Sequence, residues 1–155
     1  MPTIMIWKPH VTVAAVIEKN GRFLLVEETT AQGIAFNQPA GHLEEGEDLI
    51  AAVIREVREE TAWEFQPEAL IATQLWRRNP EMPSFLRFCF AGTVGNHNPE
   101  QALDDGIIGT HWLSRNEICA RRDQLRSPLV LTTIDEYLKG QRYPLSLLQT
   151  FLDHA

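Results

Sequence analysis

The apolar residues of this chain fall into two patterns. Short runs of strand length, Val11–Ile17 and Arg22–Glu27, flank Asn20-Gly21. That dipeptide suits a tight hairpin, because both central turn positions need positive φ. Leu70–Trp76 and Phe85–Val94 read as two further strands, joined by a turn containing Pro80 and Pro83, and Thr110–Leu113 as a short fifth. From Asp48 to Thr61 the period becomes helical, with Ile50, Val53, Ile54 and Val57 forming one apolar stripe. A second helix starts at Ser114, paired with Glu117 as a capping box, and a third at Ser127-Pro128, closing at Gly140. Ser146–Phe151 reads as a short terminal helix. Strands interrupted by helices in 155 residues predict a single domain, 1–155, with a mixed sheet covered on both faces.

Composition narrows the partners. The chain has 14 basic and 21 acidic residues, a net charge of −7 with histidines neutral. Such a surface repels phosphate backbones and anionic lipid, so a nucleic acid polymer and a membrane are both excluded as bulk partners. The longest apolar runs fall short of the roughly 20 residues a membrane helix needs, and the opening Met-Pro-Thr-Ile-Met-Ile-Trp-Lys-Pro does not read as a signal peptide. Cys89 and Cys119 make no disulfide framework, and the five histidines lack zinc-ligand spacing. A soluble cytoplasmic domain is expected, monomeric, with a homodimer as the alternative.

Candidate chemistry concentrates in one stretch, Gly41-His42-Leu43-Glu44-Glu45-Gly46-Glu47, running on to Arg55-Glu56-Val57-Arg58-Glu59-Glu60. On a helix, Glu56, Glu59 and Glu60 fall within an arc of about 100°. Like charges at those spacings repel, and they crowd the helix end where the dipole is already negative, for a combined cost of roughly 2 kcal/mol. A solvated, glutamate-rich face is the ordinary explanation of such a helix. The glycine-bracketed acidic loop just before it favours a different one, a divalent cation that reverses the sign of the balance. Hard oxygen donors of this kind select magnesium or manganese.

Gly41, then five residues, Glu47, then seven, then Arg55-Glu56-Val57-Arg58-Glu59-Glu60 resembles the Nudix box of the Nudix hydrolases, with every charged position filled. One position departs: the box has glycine where this chain has Ala62, followed by Trp63. If the helix end requires positive φ there, alanine costs about 1 kcal/mol. Outside the box, Lys8–Ala14, Asn37–Glu44, Phe85–Phe88, Leu125–Val130 and Gly140–Leu145 are similar to the NudJ subfamily of phosphatases.

The resemblance implies an α+β Nudix fold, an α/β/α sandwich around a mixed β-sheet, and a hydrolase of phosphoric anhydride bonds that uses Mg2+, with Mn2+ as the alternative. It implies Glu59, Glu60 and the carbonyl of Gly41 as metal ligands, Glu56 as a further ligand or the general base, Arg55 as the residue that orients the acids, and Glu47 as a brace for the loop. The NudJ likeness implies small-molecule substrates: nucleoside tri- and diphosphates, thiamine pyrophosphate and hydroxymethylpyrimidine pyrophosphate, with release of orthophosphate. The alternatives are a hydrolase of oxidised nucleotides or dinucleotides, and a Nudix-fold sensor that binds a nucleotide without turnover. Nudix enzymes often add an acid from a later loop, for which Asp104 and Asp105 are the candidates, an Asp-Gly turn being the plainer explanation. Arg87 shares a strand face with Phe85 and Cys89 and is a candidate phosphate ligand, or else a strand arginine paired with a glutamate. Arg126, Arg142 and Tyr143 are further substrate-binding candidates. Trp76 and Phe36 are candidates to stack a base, while His10 and His42 read as structural.

Overall fold

Both faces of the first strand are buried, and that organises the molecule. In β1 (His10–Lys19), Val13, Ala15 and Ile17 enter one apolar cluster while Ala14 and Val16 enter another on the opposite side, as strand alternation requires. The computed structural model describes residues 3–153. Asn20 and Gly21 turn the chain at φ of 54° and 76° into β2 (Arg22–Thr30), which returns antiparallel to β1. β3 (Gly33–Asn37) pairs with β2 and β4 (Ala40–His42) with β1. Helix α1 (Leu49–Thr61) leads directly into β5 (Trp63–Trp76), which pairs antiparallel with β6 (Phe85–His97). β6 lies parallel to β1, making the sheet mixed. β7 (Ile107–Leu113) joins β2, and α2 (Arg115–Ala120) and α3 (Leu129–Leu138) close the chain's fold. The sheet order is β3-β2-β1-β6-β5, with β4 on β1 and β7 on β2.

One apolar layer sets Val53 and Val57 of α1 against Val13, Leu24 and Phe90; the other sets Ile118, Val130 and Ile134 of α2 and α3 against Val16, Leu25 and Ile71. The expected sandwich is therefore present. Two short strands, β3 and β4, were not expected, since neither carries an apolar run long enough to announce itself. β5 begins seven residues before the expected Leu70, through a strand segment holding Pro67; β5 forms an end of the sheet, where a residue without an N–H is tolerated. The expected terminal helix at Ser146–Phe151 is not there: only a single 3-10 turn forms at Leu145–Leu147, and Leu145 and Leu148 instead pack against the apolar cluster that α1 shares with the sheet.

Asp48 caps α1 by accepting the Ala51 N–H at 2.7 Å. At the other end Ala62 adopts φ 63°, ψ 15°, and its N–H bonds back to the Arg58 carbonyl. The left-handed stop is thus made by alanine. Relief of strain in Ala62→Gly, about 1–2 kcal/mol, opposes loss of a buried methyl, about 0.8 kcal/mol, and about 0.4–1 kcal/mol of added freedom in the unfolded chain. These nearly cancel, so Ala62→Gly should move the melting temperature by no more than about 4 °C. A larger rise would show that the methyl contributes nothing.

Candidate active site

The buried side of α1 carries Ala52, Val53, Glu56, Val57, Glu60 and Thr61. Two of the expected acids therefore face the core, one turn apart, while Glu59 sits at the margin. The helix places Glu56 against β4: a Cβ added at Gly41 would overlap all three carboxyl atoms of Glu56. Glycine is required here for close approach, since nothing larger leaves room for the carboxylate. The loop before β7 supplies a third acid. The Asp104 N–H donates to the Glu59 carbonyl at 3.0 Å, and carboxylate oxygens of Glu56, Glu59 and Asp104 lie within 4.8 Å of one another.

Arg55 holds this arrangement together. It grips Glu47 with Nε and Nη2 at 3.0 and 2.6 Å, reaches Glu56 and Glu59 from Nη1 at 2.8 and 3.1 Å, and donates to the His42 carbonyl at 3.0 Å. Glu47 in turn accepts the Glu44 N–H at 2.9 Å, which ties the loop. The bidentate pair with Arg55 holds the Glu47 carboxyl below its usual range. One guanidinium is not enough for the rest. Burial raises the Glu56 pKa, with Arg55 opposing and Glu59 and Asp104 adding to the rise. Asp104 is raised by burial and by Glu59. Glu60 is 7% exposed, accepts the Ala40 N–H at 2.8 Å, and is pushed up to about 9 by burial. Its carboxylate bonds to the Ala40 N–H, while Asp104 joins Glu56 and Glu59 in the converging trio. Clustered carboxylates that resist ionisation in the absence of a counter-charge are a donor set suited to a hard divalent cation.

Beside the acids, meeting them at Gly41 and His42, lies a cleft of about 310 Å³. Trp76, Arg78, Phe85, Arg87 and Arg126 are among its walls. Three expected substrate residues, Arg87, Trp76 and Arg126, are thus brought together. Arg126 is paired with Glu28 at 2.8 Å. Arg87 is 7% exposed and has no carboxylate partner among the described residues, contrary to the alternative of a strand ion pair; its partners are Gln38, Gln74, Thr133 and the Cys89 thiol. Arg142 and Tyr143 do not reach this cleft. Arg142 lies over the Tyr137 ring at 4.1 Å beside a second cavity at Ala91–Thr93, and Tyr143 bridges to Leu70. Ala91 is four residues along β6 from Arg87, a separation of roughly 13 Å. Phe36 belongs to the core rather than the cleft. His10 and His42 stack edge to face, 3.1 Å apart between ring nitrogens, with His42 lowered by burial and by His10.

Arg78 and Glu28 line the cleft without any signal having singled them out in the sequence. Gln38, Gln74 and Thr133 likewise stayed hidden, because a neutral residue gains significance here only through the guanidinium it meets.

Comparison with known proteins gives consistent relatives. A family model described as the NUDIX domain matches residues 8–132. The chain is 45% identical over 145 residues to Phosphatase NudJ of Escherichia coli (strain K12), covering 94% of each protein, and equally to Phosphatase NudJ of Shigella sonnei. Among solved structures, a NUDIX hydrolase from Nitrosomonas europaea superposes with a TM-score of 0.90 at 47% identity, covering 93% of this chain and 98% of the other. A UDP-X diphosphatase shares the fold at a TM-score of 0.72 and 18% identity, covering 92% of this chain and 69% of the other.

Proposed function

The chain belongs to the NUDIX family, and from that premise we propose that it is a magnesium-dependent phosphohydrolase of the NudJ kind, releasing orthophosphate from nucleoside tri- and diphosphates and from thiamine-pathway diphosphates. As a family member it is a hydrolase of phosphoric anhydride bonds. The observation that carries the finer reading is the convergence of Glu56, Glu59 and Asp104 beside a cleft walled by Trp76 and a buried, carboxylate-free arginine.

In this reading Glu56, Glu59 and Asp104 would hold the cation, with the Gly41 carbonyl and Glu60 as further donors carried over from the family pattern. Manganese would satisfy the same donors. When bound, the cation supplies Lewis-acid polarisation of the phosphate and a more acidic attacking water. Arg55 keeps the acids in place through its contacts to Glu47, Glu56 and Glu59. Glu56, with a raised pKa and a buried carboxylate, is suited to take the proton from the attacking water. Arg87 holds a phosphate away from the acids, and Trp76 offers a face to the pyrimidine or base.

The test is orthophosphate release from a panel of nucleoside tri- and diphosphates, thiamine pyrophosphate and hydroxymethylpyrimidine pyrophosphate, with magnesium and with chelator. Turnover is expected only with the metal. Pyrophosphate appearing from a triphosphate would remove the NudJ assignment. Binding without turnover on every substrate would leave a sensor.

A further inference from the structure

Three arginines near the acids are treated differently by the fold. Arg55 is neutralised by Glu47, Glu56 and Glu59, and Arg126 by Glu28. Arg87, more deeply buried than Arg126, faces only neutral acceptors among the described residues: Gln38 Oε1 at 2.8 Å, Gln74 Oε1 at 3.0 Å, Thr133 Oγ1 at 3.0 Å and Cys89 Sγ at 3.3 Å. A buried charge without a counter-charge is unfavourable by several kcal/mol. A glutamate in place of either glutamine would relieve that, so the neutrality of the shell has a consequence for whatever enters the cleft.

Each acceptor is itself locked. Gln38, 1% exposed, donates its amide to the Val130 carbonyl at 2.8 Å, which turns its oxygen toward Arg87. Gln74 donates to Thr133 Oγ1 at 3.1 Å, and the Thr133 hydroxyl donates to the Leu129 carbonyl at 2.7 Å. The shell therefore draws on the turn before β4, on β5 and on α3, and it fixes the plane of the guanidinium. A guanidinium has five N–H donors. Here Nη1 serves Gln74, Thr133 and Cys89 and Nη2 serves Gln38, leaving Nε–H and one Nη2–H without a partner among the described residues. No fully buried side-chain nitrogen or oxygen among the described residues lacks a partner, so the Nε of Arg87 is not fully buried, and the residue lines the cleft.

We propose that Gln38, Gln74 and Thr133 are positioning residues that form a deliberately neutral cradle, holding Arg87 uncompensated so that its free donors take a phosphate group of the substrate. This rests on the reading of the chain as a diphosphate hydrolase. The cradle acts through Arg87 alone: it sets the affinity for the anion and leaves the chemistry at the acids untouched.

Gln74→Glu, on half-buried β5, is the decisive variant, with Gln38→Glu as an independent placement of the same charge. A carboxylate beside Arg87 should raise KM for thiamine pyrophosphate by about 10–100-fold, the scale of a lost charged hydrogen bond, with kcat within about threefold and no loss of melting temperature. Calorimetric binding of inorganic pyrophosphate, without added metal, should weaken in parallel. Unchanged KM and unchanged pyrophosphate affinity in the folded glutamate variants would overturn the cradle. Arg87→Lys separates the two levels. If lysine weakens pyrophosphate binding while both glutamate variants leave it intact, the cradle is rejected and Arg87 stays a phosphate ligand. If lysine also leaves binding intact, Arg87 does not touch the anion and both statements fall, whatever the fate of the hydrolase reading.

Discussion

Glu56→Gln is expected to lower kcat by about 10²–10⁴-fold, the range that separates a positioned proton acceptor from none. The amide is nearly isosteric, and its oxygen can still accept from Arg55, whose Nη1 lies 2.8 Å from the carboxylate. The packing against Gly41 is retained as well, because no atom is added where the helix meets β4. What disappears is a negative charge among three converging acids and the ability to take a proton. The expected signature is a fall in kcat with the melting temperature unchanged or raised, since burial already disfavours the charged form of Glu56. Turnover within about threefold of the parent would remove Glu56 from the chemistry and leave it as a packing residue.

The second large effect is on stability. Glu60 has a pKa of about 9 in the folded, metal-free chain against an ordinary value of 4.5. Between those values the folded state holds a proton that the unfolded state has released. Stability therefore falls as pH rises through that window, by up to about 1.4 kcal/mol per pH unit from this group. Glu56 and Asp104 are raised too and act in the same direction. His42 is lowered and works below neutrality, and the buried Cys89 thiol, raised from about 9, adds its own fall only toward the alkaline end, so the slope just above pH 7 reports Glu60. The metal-free melting temperature should drop as pH rises above 7, and millimolar magnesium should flatten or reverse the drop. Glu60→Gln keeps the acceptor for the Ala40 N–H, bonded at 2.8 Å, and should remove about one proton's share of the slope. An unchanged slope in that variant would mean that Glu60 is ionised throughout.

Much of this site was legible before any fold was known. The spacing of Glu56, Glu59 and Glu60, the acidic loop at Gly41–Glu47 and the arginine before them sit close in sequence, where helical periodicity alone brings them together. The departure at Ala62 was equally readable, and the structure places that residue at positive φ. Asp104 was different. An Asp-Gly turn is ordinary, and its arrival beside Glu59 depends on a backbone hydrogen bond between residues 45 positions apart in the chain. Arg142 and Tyr143 are the opposite case: their segment fits the family pattern, but it packs against Leu70 and Tyr137, along the sheet from the cleft.

By itself, then, the sequence determined the class of fold, the alternation that buries both faces of β1, and the helix that gathers the acids, because each of these follows from neighbours within a few residues. Only the tertiary structure decided which acids converge and how Arg87 is used. Parallel pairing of β1 with β6 sets Thr12 opposite Arg87, and antiparallel pairing of β1 with β4 sets Val13 opposite Gly41. Those registers bring the cleft, the glycine and Glu56 to one end of the sheet, and α3 then supplies Thr133 to the guanidinium from 46 residues away. A shift by one residue would turn Arg87 to the other face. Such contacts arise from the summed burial of whole strands, and no local pattern records them.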